Sequence, residues 1–358
     1  MPAPVSTMPE DAPATASPGE VLLNVENLKV HFPVMSGVLR PRRIATIQAV
    51  DGVSFDLRRG ETLSIVGESG CGKSTTALAV LRLQALTSGR IVFDGEDIAG
   101  HGGRRLRTVR RRMQMVFQDP YGSLNPRMTL HEIIGEPLLV HGFARDRAQY
   151  NARIAELIDL VGLLPDMATR YPHEFSGGQR QRIGIARALA LEPDLLICDE
   201  PVSALDVSIQ SQILNLFLDL QERLGLTYLF ISHNLSVVRH ISDRVAVMYL
   251  GRIVEFAPAD ELFANPKHPY TQALMAAAPV ADPGVEVARP SAVMIGEVPS
   301  PRNPPSGCRF HPRCPHAFAP CSTIDPAFDL VGPTSRVACH LYTTPTPSHD
   351  LVEAVKNA

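Results

Sequence analysis

With 358 residues, 45% of them hydrophobic and 20% charged, the chain has apolar material for one large domain with an extension, or for two domains. A net charge of −3 at pH 7 supplies no general attraction to nucleic acid or anionic lipid. No uninterrupted apolar run approaches the about 18 residues that cross a bilayer, and the Pro-, Ala-, Ser- and Thr-rich start lacks the basic and apolar blocks of a secretory signal, so a cytoplasmic chain is expected.

Residues 1–19 read as a disordered tail. Val21 to Val30 alternates apolar and polar residues as a half-buried strand does; a long polar connection from Pro33 to Gln48 is expected next, and Ala49 to Leu57 resumes strand character. Thr62 to Val66 reads as a buried strand and Thr76 to Leu83 as a helix. Between them lies Gly67-Glu68-Ser69-Gly70-Cys71-Gly72-Lys73-Ser74-Thr75, with the spacing G-x-x-x-x-G-K-[ST]. Glycines let consecutive backbone N–H groups turn inward, and a helix N-terminus adds partial positive charge, so such a loop cradles polyphosphate. Lys73 would reach the β- and γ-phosphates, and the Ser74 hydroxyl would ligate Mg²⁺. An ordinary glycine-rich turn does not require Gly, Lys and Ser at these places after a strand.

Gly89 to Gly95 reads as a strand ending in a turn. The basic run Arg104 to Arg112 has no interleaved aromatic residues, which favours a solvated helix face over a nucleic-acid patch. Met113 to Phe117 reads as a strand closed by Gln118-Asp119-Pro120, and from Tyr121 to Phe175 Pro-punctuated helical periodicity predicts an all-helical insert. A helix from Gly177 to Leu191 leads to the strand Leu195-Leu196-Ile197-Cys198, which ends in Asp199 and Glu200. A striped helix (Ile209, Ile213, Leu216, Phe217, Leu220, Leu224) stops at Gly225, and strand, helix and strand return over Thr227–Ser232, Leu235–Ile241 and Arg244–Leu250. The alternation predicts an α/β sheet with nucleotide at the C-terminal ends of its strands. After Pro258 the composition shifts to Pro, Gly, Cys and His, which marks a boundary.

An apolar strand seldom ends in two adjacent acids for packing reasons, because each buried charge needs a partner. Beside a phosphate loop, Asp199 can hold Mg²⁺ and Glu200 can reach the attacking water. Ser176 fits an ordinary helix N-cap, while Gly177 and Gly178 at the same point expose N–H groups suited to an anion. A chain with its own phosphate loop would offer that second anion site to the ATP of a partner.

Taken together, residues 21–258 resemble the ATP-binding subunits of ABC transporters. Gly67 to Ser74 is similar to the Walker A loop, Leu195 to Glu200 to the Walker B strand, and Ser176 to Gln179 to the signature motif, with Phe175 where leucine is commoner. Gln118 resembles the lid glutamine that touches Mg²⁺, Ser203 to Asp206 the D-loop, His233 the switch histidine, and Phe32 the aromatic that stacks on adenine. The resemblance implies a P-loop ABC ATPase domain, a mixed-sheet core with a helical subdomain over about 120–176. It implies Glu200 as general base, His233 at the γ-phosphate, and nucleotide held by Phe32, Gly67 to Thr75, Ser176 to Gln179 and Asp206. It also implies ATP as substrate and Mg²⁺ held by Ser74, Gln118 and Asp199.

A narrower resemblance, carried by Gln118 to Arg127, Tyr171 to Arg182 and His268-Pro269-Tyr270-Thr271, is to the second ATPase subunit of oligopeptide and dipeptide importers. It implies a heterodimer with a second homologous ATPase, two permease subunits, an extracytoplasmic peptide-binding protein, no nucleic acid, and a place on the cytoplasmic face of the bacterial inner membrane. Nickel, opine or sugar import, or a soluble non-transport ATPase, are the alternatives. His268 to Thr271 reads as a Pro-fixed turn capping a helix. Residues 259–345 form the extension and 346–358 a tail. Cys308, Cys314, Cys321 and Cys339 are separated by five, six and seventeen residues, wider than the gaps usual between paired zinc ligands. Their concentration in a Pro-rich cytoplasmic module nevertheless leaves three readings: an iron–sulfur cluster, zinc, or unliganded thiols. Cys71 and Cys198 read as packing residues.

Overall fold

The computed structural model describes residues 19–37, 42–277 and 296–342. All but Gly19 of the expected N-terminal tail, and all of the C-terminal one, lie outside these residues. The described chain opens as an antiparallel ribbon, β1 (Val21–Ser36) against β2 (Arg42–Arg58), paired from Val21 opposite Arg58 to Ser36 opposite Arg42. The expected polar connection between Pro33 and Gln48 is therefore largely strand. A two-stranded ribbon satisfies its backbone groups by pairing alone and buries little at its far end, so the alternation that betrays a strand is absent there.

The buried β3 (Thr62–Val66) leads through the phosphate loop to α1 (Lys73–Val80). β4 (Ser88–Phe93) then pairs with the free side of β1, and the short β5 (Glu96–Asp97) completes an antiparallel sheet ordered β2-β1-β4-β5. α2 (Gly103–Arg112) carries the basic run, mostly exposed as expected, although Arg112 is committed to Asp94 and Asp194 at 2.7 and 2.6 Å. β6 (Met113–Val116) follows.

The insert is helical. α3 (Leu130–Val140) begins in a reciprocal cap between Thr129 and Glu132, and α4 (Arg147–Leu160) is capped by Asp146. Ile133, Ile134, Leu138, Ile154, Leu157 and Ile158 bury against Ile183, Ala186 and Leu189 of α5 (Gly177–Leu189), so the insert shares one core with the helix that returns to the sheet.

β7 (Leu195–Asp199), α6 (Val207–Leu224), β8 (Thr227–Ser232), α7 (Leu235–Ile241) and β9 (Arg244–Tyr249) supply the α/β alternation. In the larger sheet β9-β3-β8-β7-β6 run parallel. Their near-continuous apolar runs match burial on both faces. β10 (Arg252–Pro258) returns antiparallel to β9. α8 (Ala259–Ala264), α9 (Pro269–Ala276), β11 (Asp329–Leu330) and β12 (Arg336–Val337) belong to the extension. β12 pairs with β10, Glu255 opposite Val337, so the compositional change at Pro258 is no break in packing: the extension widens the central sheet.

Candidate functional site

The phosphate loop leaves β3 in a form only glycine permits. Gly67 has φ 155°, and a β-carbon there would lie 2.1 Å from the Met248 carbonyl oxygen; Gly72 has φ 110° and would place one 2.2 Å from the Ala49 carbonyl oxygen. The loop is thus wedged between β9 and β2. Ser69 and Gly70 form its exposed rim, Thr75 is half-buried, and Cys71 is buried, with its thiol pushed up by desolvation. Lys73, buried at the start of α1, donates to the carbonyls of Gly67 at 2.9 Å and Glu68 at 3.1 Å.

Two side-chain groups meet where β6, β7 and β8 end. In the first, the Ser74 hydroxyl donates to Asp199 Oδ1 at 2.9 Å. Burial pushes the Asp199 carboxyl above its ordinary range, and the Glu200 charge adds to this, while the Ser74 hydrogen bond and Lys73 oppose it. In the second, Glu200 Oε2 accepts from Gln118 Nε2 at 3.0 Å and lies 3.0 Å from His233 Nδ1. Glu200 has φ 46°, a left-handed conformation costing about 1–3 kcal/mol for a residue with a side chain, and its N–H donates to the Ile231 carbonyl at 2.9 Å. The oxygens of Ser74, Asp199 and Gln118 are hard donors of the kind that Mg²⁺ prefers, and the desolvated Asp199 carboxyl is a group that a cation would stabilise as an anion.

Ser176 to Gln179 form a separate constellation. The Gln179 N–H donates to Ser176 Oγ at 3.3 Å and the Ser176 N–H to Gln179 Oε1 at 2.9 Å, so the N-cap reading holds, with both side chains engaged. A β-carbon on Gly178 would lie 2.6 Å from Ile209 Cγ2, and one on Gly177 3.4 Å from Leu205 Cδ2; the motif therefore packs on the start of α6, where exposed Asp206 is the N-cap. Phe32 faces Ile47 across the ribbon and packs, partly buried, on the core beneath.

Sequence reasoning missed Tyr270 and Arg313. The Glu68 N–H donates to the Tyr270 hydroxyl at 2.9 Å, and Arg313 donates to both Glu68 carboxylate oxygens, at 3.0 and 3.2 Å. The available signal was His268 to Thr271, whose capping role is as expected: His268 Nδ1 accepts from the Tyr270 N–H at 3.0 Å at the start of α9. Nothing in that turn points to a loop some 200 residues earlier.

The C-terminal cysteines do not assemble as the cluster reading expects. Among the described residues no three His, Cys, Asp or Glu side chains converge into a metal-binding group. Cys321 and Cys339 are buried and Cys308 and Cys314 half-buried, the latter two against the aromatic cluster of Tyr249, Tyr270 and Phe310. Desolvation, with smaller contributions from neighbouring thiols, pushes Cys308 and Cys339 up to about 11. Short turns at His311–Arg313 and Ala319–Ser322 bring the cysteines near one another, the Cys308 N–H donating to the Cys321 carbonyl at 2.9 Å, without gathering three of their side chains into a metal-binding group. Cys71 and Cys198 are buried packing residues, as expected. No described helix is long and apolar enough to cross a membrane.

Residues 50–203 match the family model described as ABC transporter, and residues 254–321 the one described as oligopeptide/dipeptide transporter, C-terminal region. The chain is 56% identical to the oligopeptide transport ATP-binding protein AppF of Bacillus subtilis, over 92% of this chain and 100% of that one. It is 53% identical to OppF of Salmonella typhimurium, over 87% and 93%. A dimeric post-hydrolysis ATP-binding cassette bound to ADP and phosphate matches at TM-score 0.57 and 28% identity, covering 66% of this chain and 98% of that one. CbiO1 of Clostridium perfringens, part of an ABC transporter complex, matches at 0.59 and 28%, covering 69% and 92%.

Proposed function

The chain belongs to the ATP-binding subunits of ABC transporters, with the oligopeptide/dipeptide C-terminal region, and we propose that its ATPase activity drives import of oligopeptides or dipeptides through a membrane permease. The observation that carries the catalytic reading is the Glu200 carboxylate, held by Gln118 and His233 beside the Ser74–Asp199 pair.

In this reading the inward N–H groups of the loop and Lys73 bind the polyphosphate, and Phe32 stacks on adenine. Ser74, Asp199 and Gln118 would hold Mg²⁺, which when bound neutralises charge across the β- and γ-phosphates. Glu200 takes a proton from water as its oxygen bonds to the γ-phosphorus and the bond to the bridging oxygen breaks, giving ADP and phosphate. His233 turns from Glu200 to the γ-phosphate. Ser176 to Gln179 and Asp206 serve the nucleotide of a second, homologous ATPase subunit in a head-to-tail heterodimer; the packing of Gly177 and Gly178 on Leu205 and Ile209, beside Asp206, supports their acting as one unit.

Two permease subunits hold the pair at the cytoplasmic face of the bacterial inner membrane, and an extracytoplasmic peptide-binding protein delivers the cargo. A cavity of about 650 Å³ between β6 and the helical insert, lined by Met113, Met115, Phe117, Pro137, Arg110 and Arg187, adjoins Gln118 and suits a short permease helix. No step uses nucleic acid, and none uses the four C-terminal cysteines. Iron, zinc and sulfide analysis of anaerobically purified protein tests the cluster reading on its own: stoichiometric iron and sulfide would establish it, and sub-stoichiometric metal leaves thiols that hold no metal.

The test is ATP hydrolysis by the assembled transporter with its binding protein. Dipeptides or oligopeptides are expected to stimulate turnover, whereas stimulation by nickel, opines or sugars instead would replace the substrate assignment.

A further inference from the structure

We propose that Arg313 and Tyr270, both in the C-terminal extension, are positioning residues of the phosphate loop, holding Glu68 by its carboxylate and its backbone so that the loop accepts a polyanion. The inference deepens the ATPase reading and rests on it.

Glu68 is the second residue of a loop whose task is to receive a highly charged phosphate chain, and a free carboxylate there would oppose that ligand. Arg313 grips it in the two-oxygen arrangement that fixes direction as well as charge. The Glu68 N–H is occupied by the Tyr270 hydroxyl, which fixes the first peptide of the loop. Neither group is loosely placed. Tyr270 and Phe310 are fully buried and pack with Tyr249 of β9 in a three-ring cluster, with centroids 4.6 and 5.3 Å from Tyr249 and 5.4 Å from each other. Arg313 is buried and also donates to the Tyr249 hydroxyl at 3.4 Å.

The same module is anchored on the other side of the loop. Arg309 donates to Gln48 Oε1 at 2.7 Å and to Asp51 at 2.5 Å, and the Gln48 N–H donates to the Pro301 carbonyl at 3.1 Å. Gln48 adjoins Ala49, the residue whose carbonyl closes on Gly72. The extension thus braces both strands between which the loop is wedged, and a shift of the module moves Glu68.

The experiment is MgATP and MgADP binding to the full chain carrying R313M, R313K, E68Q, E68Q/R313M and E68Q/R313K, with thermal melts alongside. R313M is expected to weaken MgATP on the order of tenfold and MgADP less, because the exposed Glu68 charge acts on one charge fewer. In the E68Q background the same change is expected to cost less than about twofold. An equal loss in both backgrounds, or equal losses for ATP and ADP, would mean Arg313 only packs, and would overturn the proposal. If R313M does not fold, R313K carries the test: a loss that disappears with E68Q supports positioning, and one that persists overturns it. Wild-type protein that fails to bind MgATP would sink the ATPase reading itself, a different outcome from any of these.

Discussion

His233 Nδ1 and Glu200 Oε2 lie 3.0 Å apart although one follows β8 and the other β7, and Gln118, which follows β6, reaches the same oxygen at 3.0 Å. Three neighbouring parallel strands thus end on one carboxylate. Glu200→Gln keeps the shape and the strained backbone but removes the base, so turnover is expected to fall about a hundredfold or more while MgATP affinity stays within about threefold. Steady-state hydrolysis and equilibrium binding on the same preparation check this. Turnover near the wild-type rate would remove Glu200 from the role of base.

The Ser74–Asp199 contact makes a separate prediction about the metal. Asp199→Asn keeps an oxygen that can accept from the Ser74 hydroxyl and removes the charge. The Mg²⁺ concentration for half-maximal hydrolysis is expected to rise about tenfold or more, with metal-free ATP binding little changed or slightly stronger. Titration of Mg²⁺ at saturating ATP tests it; an unshifted midpoint would place the metal elsewhere.

Two loop glycines separate backbone conformation from steric fit. Gly70 has φ 78° with nothing within 4 Å of where a β-carbon would stand, whereas Gly72 combines φ 110° with a carbonyl oxygen 2.2 Å away. Gly70→Ala is expected to cost about 1 kcal/mol and Gly72→Ala about 3 kcal/mol or more, read as urea midpoints of the nucleotide-free protein. Equal costs would mean the loop yields at Gly72.

The local parts of the site were legible because their chemistry is local. Gly67 to Thr75 between a strand and a helix, Asp199 and Glu200 at a strand end, and Ser176 at a helix start each state their conformation within a few residues. The contact of Gln118 with Glu200 spans 82 residues and is not among the expectations: motif order marks Gln118 for the metal, and nothing local points to this carboxylate. The far end of the β1–β2 ribbon buries too little to leave a pattern, so it reads as a polar connection. Arg313 reaches Glu68 across 245 residues, and no local rule encodes which buried arginine meets which loop carboxylate.

His268 gives the extension a pH dependence of definite sign. Burial holds its imidazole down from 6.5 to about 3, and Nδ1 is already engaged by the Tyr270 N–H. The unfolded chain takes up a proton near 6.5 and the folded chain resists it until about 3, so this contribution to stability is complete above 6.5 and is lost progressively as pH falls toward 3, by up to about 1.4 kcal/mol per unit. Glu255, raised by burial and accepting the Lys267 and His268 N–H groups, works in the opposite direction: it disfavours the folded state as pH rises through its own titration. His268→Asn keeps an acceptor for the Tyr270 N–H and removes the titration. Between about pH 7 and 5 wild-type stability in urea is expected to fall by about 1–2 kcal/mol and that of the variant by less than half as much. Parallel slopes would mean that the imidazole finds a way to carry its proton in the folded chain, which would require the packing of α9 against Phe310 to open.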